Sequence, residues 1–362
     1  MSVGQVYPEL YQQQLEQKTT EIAKQIHLHG LVFPSPEVFE SKPSHYRMRA
    51  EFRVWHEQND SFYIMFDPNT KEKVRIDEFP VGSQRINELM VSLRQHFLAN
   101  KQLRHKLYQV EFLTTSTNEA LVTMIYHKVL DDEWAEHARS VATQLNIKLI
   151  GRSRKQKVLL SDNWVEECFH VTGRDYRYRQ VENTFTQPNA GVCVDMLNWA
   201  CTQAADCTGD LLELYCGNGN FTLPLAAKFP NVLATEISKN SIKTAIENAL
   251  QNNINNVSFF KASSEEFSSA WLKKDARLHQ KMNLDNYKLE TLFVDPPRAG
   301  LDPDTIELAR NFKHIIYISC NPQTLIDNIA NLSDNFVVSS FALFDQFPYT
   351  HHMECGVLLT RR

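Results

Sequence analysis

Two residues at the ends of apolar runs could do covalent chemistry in this chain. Cys320 closes one, in Tyr317-Ile318-Ser319-Cys320-Asn321-Pro322, and Glu354 opens another, in Met353-Glu354-Cys355-Gly356-Val357-Leu358-Leu359. A thiolate is a nucleophile that adds readily and leaves again, and a carboxylate is a general base. Each also has a plainer reading: a lone cysteine is commonly a small buried apolar side chain, and a lone glutamate is commonly solvated. A third segment, Phe293-Val294-Asp295-Pro296-Pro297-Arg298-Ala299-Gly300, puts a carboxylate at a strand end and stiffens the adjoining loop with two prolines. Such a loop can hold a planar base by its edge; taken alone it is a stiffened turn. In the fourth, the apolar run ending at Leu214 passes through Tyr215-Cys216-Gly217-Asn218-Gly219-Asn220 into a helix. Glycines there let the backbone approach a ligand at the helix N-terminus. Glu236 comes 17 residues after Gly219 and ends the next strand, where a carboxylate can accept bonds from both ribose hydroxyls of an adenosine.

These segments need a parallel sheet to bring them together, and the rhythm of the second half predicts one. Short apolar strands at 210–215, 231–236, 257–261, 291–294 and 314–319 alternate with helical stretches at 221–228 and 241–251, the pattern of a sheet covered on both faces. The first half reads differently: a helix over 9–25, strands at 50–55, 62–66, 109–114 and 120–127, and helices at 83–98 and 132–145. That is an α+β domain on an antiparallel sheet. The polar, Pro188-containing stretch 176–189 is the expected junction, giving domains 1–180 and 181–362.

Seven cysteines, an odd number with no CxxC spacing, argue against a disulfide framework and against a zinc or iron–sulfur site. Adjacent His351 and His352 point different ways on an extended chain and lack further ligand spacing, so no metal is expected. The N-terminus has no signal-peptide pattern and no run approaches the roughly 20 apolar residues of a membrane span; the expected location is the cytoplasm. The net charge of −5 gives no hint of a polyanion partner. Its distribution does: residues 1–180 hold 24 Lys+Arg against 23 Asp+Glu, and residues 181–362 hold 14 against 20. In the first half, His45-Tyr46-Arg47-Met48-Arg49-Ala50-Glu51-Phe52-Arg53 interleaves basic and aromatic residues, and on a strand Arg47, Arg49 and Arg53 share a face by parity. The 104–108 and 151–157 stretches are also basic. Each alone is more often a solvated face; three in one half favour RNA.

The segments LLELYCGNGNFTLPLA, FVDPPRAGLD, YISCNPQTL and DQFPYTHHMECGVLLT resemble the RNA uracil-5-methyltransferase family. HYRMRAEFRVWH, LRHKLYQVEFLTT and RQVENTFTQPNA are similar to its bacterial tRNA-modifying branch, so the resemblance covers nearly the whole chain. It implies a C-terminal Rossmann-like class I S-adenosylmethionine-dependent methyltransferase domain behind the α+β RNA-binding domain. It assigns Cys320 as nucleophile and Glu354 as base, and cofactor contacts to Gln187, Tyr215, Asn220, Glu236 and Asp295. Tyr108 stands where the family has an aromatic, usually Phe, that stacks in the T-loop. The implied reaction is methylation of C5 of a uridine, uridine 54 of the tRNA T-loop, with T-loop-like sites such as that of tmRNA as further substrates. No obligatory protein partner is implied, and a monomer is expected. Relatives acting on ribosomal RNA often carry an N-terminal OB-like module and a four-cysteine iron–sulfur site, neither of which is present. An amino methyltransferase of the DPPY type would need no cysteine, and Arg298 occupies the place of its aromatic. A non-catalytic RNA-folding protein on the same fold is the rival of a different class.

Overall fold

A computed structural model describes residues 4–362, and its contacts divide the chain into two compact units whose segments alternate. The first takes the described residues up to Glu9 with 42–168 and 179–190; the second takes 10–41, 169–178 and 191–362. The single cut expected after residue 180 is therefore replaced by several crossings. The physical reason is the N-terminal helix Tyr11–Leu28, whose Tyr11, Leu15, Ile22 and Ile26 join the core of the second unit. Glu37–Phe39 then adds a strand beside Phe336–Phe344. The expected junction at 176–189 is strand as far as Val181, where Arg174–Val181 pairs with Trp164–Val171.

Among its described residues the first unit has a seven-stranded sheet. The strand order is Lys73–Ile76, Asp60–Phe66, Arg49–Glu57, Leu107–Thr114, Ala120–Tyr126, Lys148–Ser153 and Gln156–Leu159. Alternation in Arg49–Glu57 turns Ala50, Phe52 and Val54 inward, onto the buried faces of Gln84–Ala99 and Asp132–Leu145. Ser83 and Asp131 cap these helices by accepting from Ile86 N and Trp134 N. The sheet is not wholly antiparallel: Ala120–Tyr126 and Lys148–Ser153 pair in parallel, because a helix rather than a hairpin connects them.

The second unit has an eight-stranded sheet among the described residues. Its order is Glu37–Phe39, Phe336–Phe344, Glu354–Arg361, His314–Ser319, Leu289–Val294, Asp210–Leu214, Val232–Glu236 and Val257–Lys261. The last five are parallel; Glu354–Arg361 runs antiparallel to both its neighbours. The chain moves outward from Asp210–Leu214 and later returns to its other side as Leu289–Val294. The order thus reverses between those two strands, and ligands of open α/β sheets gather at the carboxyl end of such a switch point. One face packs Leu212, Leu214, Leu292, Val294, Ile315 and Tyr317 against the Tyr11–Leu28 helix and the helices on its side. The helix expected over 221–228 is only one turn, Thr222–Leu225, with Pro224 inside it.

Candidate active site

Sheet topology alone gathers most of the chemical residues at one edge. Tyr215, Asp295 and Cys320 each come directly after the last residue of a parallel strand, and Glu236 is the last residue of another. Glu354 opens an antiparallel strand, so its amino end lies at that same edge. The final register pair between His314–Ser319 and Glu354–Arg361 is Ser319 with Cys355. Cys320 follows Ser319 and Glu354 precedes Cys355, so the two come at the same end of this strand pair.

The nearby charges of these groups act on one another. Burial pushes the Cys320 thiol up to about 11, the charges of Glu354 and Asp295 push the same way, and Arg298 opposes them. Burial and then Asp295 hold the Glu354 carboxyl well above the usual carboxylate range, again opposed by Arg298. Glu354 is 4% exposed, and its Oε2 has no hydrogen-bond partner among the described residues. Arg298 links the two loops. Its Nη2 lies 3.1 Å from His352 Nδ1, and its carbonyl accepts from Asn321 Nδ2 at 3.0 Å. Asn321 also caps the helix Pro322–Leu332, which fixes the chain just after Cys320.

The loop after Leu214 is strained in a way that opens space. Tyr215, Gly217 and Gly219 all have positive φ, of 64°, 55° and 86°. A Cβ on Gly217 would meet nothing within 4 Å, so a ligand can lie directly on its backbone. Glu236 reaches under this loop: Oε2 accepts from Gly217 N at 3.2 Å and Oε1 from Ser238 N at 2.8 Å. Ile237 beside it is 64% exposed, an apolar surface suited to a purine face. Asn220 is held by Tyr178, whose hydroxyl donates to its carbonyl, and its side chain meets Cys193 Sγ at 3.5 Å. The donor set of carboxylate, amide and open backbone fits a nucleoside with a cationic centre. No group of three His, Cys, Asp or Glu side chains could hold a metal among the described residues.

Two residues of this region escaped sequence reasoning. Ile237 is one. Glu213 is the other: it is 1% exposed inside the apolar strand Asp210–Leu214, with Oε2 unpartnered among the described residues. Burial pushes its carboxyl up to about 8; Thr222 opposes this, although its Oγ1 makes no bond of good geometry. A carboxylate between two leucines of a short apolar run was the available signal.

In the first unit, Gln187 lies half-buried in the closing segment, next to Pro188, whose carbonyl accepts from Met48 N at 2.7 Å. Arg47 lies before the strand, in an isolated bridge with Gly82 and Asn189, so strand parity relates only Arg49 and Arg53. Arg47 Nε donates to Arg49 O and Arg49 Nη1 to Thr184 O, each at 2.8 Å. The Arg53 guanidinium lies 4.0 Å over the Tyr108 ring, which stacks with His127 at 4.1 Å. In the basic turn, Arg152 and Lys157 pair with buried Glu182, while Arg154 and Lys155 are exposed.

Residues 10–362 match the family described as tRNA (Uracil-5-)-methyltransferase. The chain belongs to this family. A tRNA/tmRNA (uracil-C(5))-methyltransferase of Cellvibrio japonicus is 52% identical over 354 residues, 97% of this chain and 96% of the relative. One of the same name from Acinetobacter baylyi is 50% identical, over 96% of this chain and 98% of that one. Among solved structures, the Pyrococcus abyssi tRNA (uracil-54, C5)-methyltransferase in complex with S-adenosyl-L-homocysteine aligns with a TM-score of 0.74. It shares 23% identity, over 97% of this chain and 83% of that one, and shows that the uracil-5-methyltransferase fold is the one built here. No helix of the described residues is long and apolar enough to cross a membrane.

Proposed function

We propose that this protein methylates C5 of uridine 54 in the tRNA T-loop, and the T-loop-like site of tmRNA, with S-adenosylmethionine as methyl donor. The observation that carries the reading is the register of Ser319 with Cys355, which brings Cys320 and Glu354 to the same sheet edge as the loop after Leu214. Relatives at about half identity bear the name of this activity.

The chemistry is dictated by uracil. C5 is a poor nucleophile, whereas C6 is an acceptor, being β to the C4 carbonyl. The Cys320 thiolate adds to C6, and the C5–C6 π electrons move into an enolate on C5 and O4. The donor supplies an activated methyl: C5 takes it, and the methyl–sulfur bond breaks to leave a neutral thioether. Glu354 removes the C5 proton; the C5–C6 double bond re-forms and the C6–sulfur bond breaks, returning the thiolate. One proton passes to solvent per turnover. Tyr215, Asn220, Glu236 and Asp295 would hold the donor, with Gln187 as a further contact. The target base must leave its stack to meet the thiol, and loop nucleotides lower that cost. Arg47, Arg49, Arg53 and Tyr108 are the RNA-facing residues of this reading.

The test is to incubate unmodified tRNA and tmRNA with enzyme and labelled donor and map the methylated nucleotide. 5-Methyluridine at position 54, absent with Cys320→Ala, is expected. Methylation of ribosomal RNA alone, or turnover by the alanine variant, contradicts the reading.

A further inference from the structure

The helix Tyr11–Leu28 looks like an amphipathic core helix, except that two of its buried positions are polar. Gln14 and Lys18 are 6% and 9% exposed. With Tyr11 they fall at i, i+3 and i+7, one face of the helix. That face holds the connection between the strands Phe336–Phe344 and Glu354–Arg361. Lys18 Nζ lies 2.6 Å from Asp345 Oδ1 and donates to the Phe347 carbonyl at 3.0 Å. Gln14 Nε2 donates to Asp345 Oδ2 at 2.8 Å, and Gln14 Oε1 accepts from Tyr349 N at 3.3 Å. The Tyr11 and Tyr349 rings meet edge-on at 6.2 Å.

Stability does not explain this choice of residues. A buried ion pair is often no more stabilising than apolar side chains of the same volume, and Asp345 is wholly buried. What directional bonds add is a fixed backbone path through 345, 347 and 349. That path ends at the proposed base. Phe344, just before Asp345, is the register partner of Glu354, so the connection 345–353 starts and finishes at that pair. The Glu354 Oε2 has no partner among the described residues to orient it, which leaves its placement to the backbone that carries it.

We propose that Lys18 and Gln14 are positioning residues: they latch the 345–349 segment so that the Glu354 carboxylate faces the carbon held on Cys320. The inference rests on Glu354 being the base. It makes the N-terminal helix part of the proton-removal step, although it touches no reacting atom.

The test uses full-length Gln14→Met, Lys18→Met and the double variant Lys18→Met/Asp345→Asn. Lys18→Met strands a buried carboxylate, and the double variant relieves that. Gln14→Met leaves the ion pair in place, and the comparison is made on the variants whose thermal midpoint shows them folded. Thermal midpoint, donor affinity, covalent adduct formation with tRNA and adduct release are each measured. Adduct formation and donor affinity should stay within about twofold while release slows by about tenfold, so that adduct accumulates as in Glu354→Gln. Formation and release falling together, in proportion to the folded fraction, would mean a merely structural helix; unchanged release would equally overturn the latch. If Glu354→Gln itself accumulates no adduct, the base assignment has failed and the latch with it. If it does and the latch variants do not, the latch alone has failed.

Discussion

Cys320 and Glu354 are two acids at one sheet edge, the first half-buried and the second buried, and both anions are disfavoured there. Burial first, then Glu354 and Asp295, raises the Cys320 thiol to about 11 from the ordinary 9.0. A cation arriving beside them favours the thiolate. Alkylation of Cys320 by iodoacetamide, tracked on its own peptide, should therefore rise with pH toward about 11. S-adenosylmethionine should move the profile to lower pH, and the neutral S-adenosylhomocysteine should not. A midpoint at or below the ordinary thiol value in the free enzyme contradicts this. The same shift sets the sign for stability: the unfolded thiol ionises before the folded one, so folding stability falls as pH rises from 9 to about 11. Cys320 and Glu354 were legible in the sequence because each borders an apolar run. Their coming to one sheet edge was not, since the pairing of His314–Ser319 with Glu354–Arg361 spans a helix and a strand. Glu213 was missed because a carboxylate in a short strand reads as solvent-facing until both faces are seen to be covered.

At the scale of elements, the Asp295 loop depends on one glycine. Gly300 has φ 77°, and a Cβ there would lie 2.7 Å from Asn328 Oδ1. That oxygen accepts from Leu301 N and from the Tyr317 hydroxyl, each at 2.9 Å. Gly300→Ala should cost about 1–3 kcal/mol and weaken donor binding through Asp295, as read by urea unfolding and donor titration; unchanged affinity would uncouple the loop from the donor. The basic residues of the first unit make a different prediction. Arg47 and Arg49 donate to carbonyls of their own unit, whereas Arg154 and Lys155 are exposed. Replacing the latter two by serine should flatten the salt dependence of tRNA binding by about 0.7–0.9 log–log unit per lost phosphate contact. An unchanged slope would place the phosphates elsewhere. Periodicity found most strands, 120–127 among them, but not its parallel partner Lys148–Ser153, whose apolar Leu149-Ile150 runs straight into the basic stretch 151–157. It overextended the 221–228 helix because the apolar spacing there continues through turns that are not helical.

For the whole molecule, the N-terminal helix decides where the chain divides. Sequence order assigned it to the RNA-facing half, since nothing local in residues 9–25 reveals which core its apolar stripe enters. Ile22 and Ile26 are buried in the core behind the donor loop. Ile22→Ala should therefore lower stability by about 2–5 kcal/mol, in the same unfolding transition whose midpoint S-adenosylmethionine raises. Two separate transitions, with only the donor-insensitive one shifted, would return the helix to the other unit. The central claim is that Cys320 attacks the target uridine and Glu354 releases it. Its most direct test is full-length Glu354→Gln incubated with unmodified tRNA and methyl-labelled donor, the denatured complex then digested and sequenced by mass spectrometry. The account predicts a Cys320 peptide bonded to nucleotide 54 and already carrying the transferred methyl. Normal turnover, or no adduct while tRNA and donor still bind, would contradict it.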